Sequence, residues 1–188
     1  MKPTDLLKEE HHGVKLALRV LTKLCEGISS NPEGKNVEYA DDLQRLIDFF
    51  RVFVDKCHHA KEEEVLFPAL MEAGLPQTEG PVQAILAEHQ EGRKLVAEMD
   101  AALKSYQQGN RDAVPALVGA ATSYARLLLD HIAKEDNILY PVADAQISGD
   151  ISTRMIEQFE QIETERIGLG THDQFHDMLK EFKTKYLK

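Results

Sequence analysis

The chain has 188 residues and a formal net charge of −10, a length that fits one domain or a domain with an appendage. The acidic balance excludes nucleic acid and anionic membrane surfaces as partners, because both need a basic face. No apolar run reaches the roughly 18 residues of a membrane span, the start from Met1 to Gly13 is too polar for a secretory signal, and the two cysteines, Cys25 and Cys57, form no C-x-x-C pair. This cysteine usage suits a reducing cytoplasm, with Cys57 read as a small buried apolar side chain rather than a redox group.

The first predicted helix covers residues 4–29, with an apolar stripe of Leu7, Val14, Leu18, Leu21 and Cys25 and Thr4 as its cap. His11 falls on the stripe, whereas His12 falls about 100° away among Lys8, Lys15 and Arg19. The stretch Ser29-Ser30-Asn31-Pro32-Glu33-Gly34 breaks the helix. A second helix over 38–73 turns Leu43, Leu46, Ile47, Phe50, Val54, His58, Glu62, Val65 and Ala69 inward, and His59, with Asp55 and Glu63, toward solvent. Pro68 is expected to bend or loosen its last turns. The third helix, over 78–108, starts at Thr78 as cap with Glu79 behind it and turns Val82, Ile85, Leu86, His89, Val96, Met99 and Leu103 inward. Gly92 and Arg93 follow His89 by one turn. The fourth, over 111–147, carries Leu117, Ala120, Tyr124, Leu128, His131, Glu135, Ile138 and Val142.

Beyond the break at Gly149-Asp150, the tail reads as two helical pieces divided at Gly168-Leu169-Gly170, with stripes Met155, Ile156, Phe159, Ile162 and Phe175, Leu179, Phe182. The fold class is therefore all-α: an antiparallel up-down-up-down four-helix bundle over 1–148, with a C-terminal helical extension over 149–188 packed on it.

One pattern occurs twice. His58-x-x-x-Glu62 precedes Leu66-Phe67-Pro68, and His131-x-x-x-Glu135 precedes Leu139-Tyr140-Pro141, each with an acid directly after the glutamate. At about 1.5 Å per residue, His11, His58, Glu62, His89, His131 and Glu135 fall within about 10 Å of one height in such a bundle. Four inward histidines with two inward glutamates need compensation, because an unpaired buried carboxylate costs several kcal/mol or more. No inward lysine provides it, and Arg93 is the nearby cation. Metal ions do so directly, and imidazole with carboxylate suits iron, manganese or zinc. If both glutamates bridge two ions, four imidazoles, four carboxylate oxygens and a shared oxo or hydroxo group fill about ten of roughly twelve octahedral positions. The remainder are open to a small ligand.

These residues give the chain its resemblance to the hemerythrin-like family of HHE cation-binding domains. Glu10-His11, His58-x-x-x-Glu62, Glu88-His89 and His131-x-x-x-Glu135 carry it, across about residues 4–147. The resemblance implies a four-helix bundle around two iron ions bridged by oxo or hydroxo and carboxylate groups, taking dioxygen, nitric oxide or peroxide as ligand. It also marks two departures. Oxygen carriers have a fifth histidine ligand one turn along the third helix, where this chain has Arg93, and an aspartate five residues after the fourth-helix histidine, where this chain has Glu135 four residues on. A ligand-binding or sensing role is the resulting expectation, with two alternatives: an enzyme turning over peroxide or nitric oxide, and an iron storage or delivery protein. Tyr124, on the face of His131, either supplies a proton or electron to such an enzyme or, the preferred reading, packs in the core with its hydroxyl satisfied. In the tail, Phe159-Glu160-x-x-Glu163-x-Glu165-Arg166 either places a glutamate across the open end of the bundle, filling the vacant position, or belongs to an amphipathic helix covering apolar surface. His172 and His176 read as a solvated face rather than a second metal site.

Overall fold

The computed structural model describes residues 1–31, 37–76, 80–147, 149–168 and 170–187. The proposed cap Thr78, with Glu79, lies outside the described residues, as do Pro32-Glu33-Gly34 of the first break and Leu169 of the last. Among the described residues every regular element is helical. They are α1 (Pro3–Ser30), α2 (Val37–Phe49), α3 (Phe67–Glu72), α4 (Pro81–Gln107), α5 (Val114–Lys134), α6 (Tyr140–Gln146), α7 (Asp150–Arg166) and α8 (Thr171–Tyr186). No helix is long and apolar enough to cross a membrane.

Four long rods carry the site. The first is α1 and the third is α4. The second runs from α2 through π-helical stretches at Phe50–His59 and Glu62–Leu66 into α3. The fourth runs from α5 through a π turn at Glu135–Leu139 into α6. The first rod packs on the second and fourth, and the third also packs on the second and fourth. Of the tail, α8 lies along α1, and α7 crosses the π stretches of the second rod.

Both short π turns have one cause. Pro68 and Pro141 sit in the first turn of α3 and α6, where their missing N–H leaves a carbonyl one turn back without its usual donor. The helix widens just before each. The Phe67 N–H reaches the Glu62 carbonyl and the Tyr140 N–H reaches that of Glu135, each five residues back. Such π turns cluster at functional positions.

The widening also corrects the helical projection. A π turn takes more residues than an α turn, so each residue advances less than 100°. His59, at the end of the long π stretch, is buried at 4 % exposure rather than turned to solvent. Beyond Glu135 the same slippage exposes Ile138 and buries Leu139 and Tyr140. Thr4 is no cap either. It lies inside α1, buried, with its hydroxyl on Asp144.

The apolar core divides into two clusters. One gathers Val14, Leu18, Phe50, Val54, Val96 and Leu128 with the rest of that end. The other gathers Leu7, Leu66, Phe67, Ile85, Leu139 and Phe159. Along each rod, the predicted site residues fall between the two. Each fully buried Leu or Phe is worth about 1.5–3 kcal/mol, and that packing is what allows a polar band to be held in the interior.

Candidate metal centre

All six predicted residues are buried and come together. Exposure is 1–2 % for His11, His58, His89 and His131, and 0 % for Glu62 and Glu135. His11 Nε2 lies 3.1 Å from His58 Nε2 and 3.2 Å from Glu135 Oε2. His131 Nε2 lies 3.1 Å from Glu135 Oε1, and His89 Nε2 lies 3.4 Å from Glu62 Oε2. The donor atoms form two groups with metal-ligand spacing: His11, His58 and Glu135 in one, and His59, Glu62, His89 and His131 in the other. His12, by contrast, is exposed.

His59 is the residue that the helical projection missed. Its ring stacks on that of His89, with centroids 3.8 Å apart and planes 15° from parallel. Neither of its nitrogens has a hydrogen bond. Arg93, at the position where a fifth histidine was missing, does not face the cluster. It is 39 % exposed and pairs with Asp55 at 2.6 Å and Glu63 at 2.7 Å. The fifth imidazole therefore enters from the second rod, not the third.

An outer ring of carboxylates fixes the four remaining histidines. His11 Nδ1 bonds Asp136 at 2.8 Å, His58 Nδ1 bonds Glu10 at 2.7 Å, His89 Nδ1 bonds Glu63 at 2.7 Å and His131 Nδ1 bonds Glu88 at 3.0 Å. Each carboxylate then meets one cation: Lys15 on Asp136, Lys61 on Glu10, Arg93 on Glu63 and Lys134 on Glu88. A carboxylate at Nδ1 pins the proton there and leaves the Nε2 lone pair pointing inward, which is the tautomer a metal ligand needs.

The eight residues of this ring repeat as the inner motif does. Glu10 and Glu88 each precede the histidine of their own helix and serve that of a neighbouring rod. Glu63 and Asp136 each follow an inner glutamate. Lys61 and Lys134 each stand three residues after a histidine. The acids were visible in the sequence as Glu-His and Glu-acid pairs, but their cross-rod partners were not.

Charge distributes accordingly. Burial alone would depress His11 and His89, but the carboxylates of Asp136 and Glu135 beside the first, and of Glu62 and Glu63 beside the second, push each up to about 9. Burial also opposes ionisation of Glu135, yet the adjacent imidazoles of His131 and His11 hold it well below the usual carboxylate range. His59 goes the other way. Burial and the charges of His89, His58 and His131 push it far down, so its imidazole is neutral, as coordination requires. Burial pushes both cysteine thiols up to about 12, which leaves them protonated and inert.

Lys61 overturns the expectation that no inward lysine exists. It is 3 % exposed and lies between Glu10 and Glu163, the latter at 3.1 Å. The tail glutamate thus ends on the outer ring, not at the metal cluster. His172 comes near Glu10 and Glu163, but the Lys61 ammonium already bonds both acids, and the His172 ring rests against Phe53.

The donor set fits metal ions on a direct structural ground. Among the described residues, eight buried side-chain polar atoms lack a hydrogen bond. Seven of them belong to His59, Glu62, His89, His131 and Glu135, and all seven lie within the cluster. Buried polar atoms are otherwise paired almost without exception. The result is a helical protein with a buried histidine–carboxylate cluster arranged to bind cations.

The chain belongs to the hemerythrin family: the Hemerythrin HHE cation binding domain matches residues 2–143. It is also 29 % identical over 166 residues to an uncharacterized protein of Mycobacterium tuberculosis and to one of Mycobacterium bovis. These matches cover 88 % of this chain and 62 % of each relative's length.

Proposed function

We propose that the chain holds two metal ions, iron in the first place with zinc or manganese as alternatives, and binds or senses a small ligand such as dioxygen, nitric oxide or peroxide. His59, His89 and His131 would hold one ion and His11 and His58 the other, with Glu62 and Glu135 between them. The seven orphaned donor atoms carry this reading, because a structural polar core would have paired them. A bound iron pair would supply reversible electron transfer and sites for small-ligand coordination.

The residues do the rest. The four Nδ1–carboxylate bonds hold the imidazoles in the ligating tautomer, and the two apolar clusters on either side of the band keep bulk water away. The complete burial of Glu62 and Glu135 favours a retained centre over iron storage or delivery. The five imidazoles divide unevenly, three to two, because the repeat position matching His59 is Ile132. The two-histidine side is therefore where a small ligand would enter. We further read the four rods as the antiparallel up-down-up-down bundle that the family resemblance implies, since each rod packs on two of the others. A reducing, cytoplasmic setting suits the two free cysteines.

The test is metal content with the visible spectrum recorded anaerobically and then in air. About two irons per chain, with a charge-transfer band that appears in air and fades on deoxygenation, is the expected result. Sustained peroxide or nitric-oxide turnover would shift the assignment to an enzyme. Zinc, or a single ion, would refute the di-iron reading.

A further inference from the structure

The two copies of the motif differ at one buried aromatic. Phe67 and Tyr140 occupy matching places, each directly before its proline. Each ring also covers a histidine of the cluster. Phe67 lies 6.0 Å from the His89 ring, and Tyr140 stacks on the His11 ring at 5.5 Å with planes 10° from parallel. Only Tyr140 brings a hydroxyl, and it is fully buried. That hydroxyl donates to Glu62 Oε1 at 2.6 Å and lies 3.4 Å from His11 Nε2.

The consequence falls on the two inner glutamates. Neither oxygen of Glu135 has a hydrogen bond, and the pair points to both sides of the cluster, at His131 and at His11. Glu62 has only Oε2 free, facing His89 at 3.4 Å and His58 at 3.9 Å. The sequence makes the two glutamates equivalent; the phenol makes them different.

We propose that Tyr140 is a positioning residue: it holds Glu62 by Oε1, so that Glu62 meets the metal pair through Oε2 alone, and a coordination position on the His11–His58 side stays available to a small anion. The inference rests on the two-metal reading. A carboxylate free at both oxygens, as Glu135 is, would occupy that position itself. The phenol is fully buried, so its hydrogen bond to Glu62 is shielded from bulk water.

The experiment compares the iron-loaded wild type with Tyr140→Phe, using azide as the probe. Absorbance titration gives the azide Kd, metal analysis gives the iron content and thermal melting reports the fold. The expected variant keeps two irons and its melting point, and binds azide at least about tenfold more weakly, because the freed Oε1 competes for the position. Tyr106→Phe, at a buried core tyrosine near the end of α4 away from His89, should leave azide affinity unchanged. An iron-loaded Tyr140→Phe protein with wild-type azide affinity overturns the proposal and leaves the metal reading intact. Loss of one iron from the variant would make the phenol a ligand and also overturn the positioning role. A wild type that takes up no metal overturns both readings.

Discussion

Removing the metal should destabilise this protein more than any single surface change. Seven buried polar atoms in the cluster have no hydrogen bond of their own, so a stripped site leaves them unsatisfied. Each costs about 1–3 kcal/mol, so even the lower figure totals about 7 kcal/mol. That is comparable to the whole stability margin of an ordinary domain, about 5–15 kcal/mol. A chain of this size loses about 2–4 °C of melting temperature per kcal/mol, which gives a fall of about 15–30 °C. The assay is calorimetry on protein loaded with iron, dialysed against a chelator, and then reloaded. Metal analysis accompanies each scan, and reloading should restore the original midpoint. A chelated sample shown to be empty, yet melting within about 2 °C of the loaded one, would refute the reasoning. The cluster would then be a polar core satisfied by water or protons.

His59→Leu should weaken the ion shared with His89 and His131, lowering metal content from about two per chain toward one. His12→Ala, at an exposed position, should keep both ions. Arg93→His should leave metal content unchanged, because the Arg93 side chain faces Asp55 and Glu63 rather than the cluster; a gain in metal affinity would contradict the placement of His59. Lys61→Met should cost about 3–5 kcal/mol in chemical denaturation, since it removes the cation of a buried pair and leaves Glu10 with only its His58 bond. Its repeat counterpart Lys134→Met, at a side chain 47 % exposed, should cost less than about 1 kcal/mol. Equal losses at the two lysines would mean that burial does not set their worth.

The inner site was legible because its signal is local. His-x-x-x-Glu on one helix face needs only the α period, and the two copies with matched prolines reinforced each other. The misread helix faces share a physical origin. The projection assumed 100° per residue throughout, but the prolines and the π stretches slow the rotation, and it was at His59 and Ile138 that the face was wrong. Lys61 failed for a different reason. Its own helix face gives no reason for burial; α7, packing across the second rod and bringing Glu163, does so. A contact between segments a hundred residues apart leaves no periodicity to read. The Nδ1 carboxylates fall between these cases, since the acids were conspicuous and their cross-rod partners were not.

The outer ring also indicates how the centre can be both symmetric and selective. A histidine, a carboxylate and a cation recur four times, so His11, His58, His89 and His131 are held in the same way and none of these four is singled out by its support. Differences between the two sides must then come from positions where the repeat is broken. Two such breaks lie at the cluster. His59 stands where the other copy has Ile132, adding an imidazole to one side alone. Tyr140 stands where the other copy has Phe67, adding a hydroxyl that occupies one oxygen of Glu62. The additions fall on opposite sides, since His59 groups with His89 and His131 while Tyr140 stacks on His11. One side gains a ligand and is filled, and the other keeps two imidazoles and gains a donor. On the two-metal reading proposed above, a repeated frame with two opposed substitutions would make one ion structural and its neighbour the one that meets a small molecule.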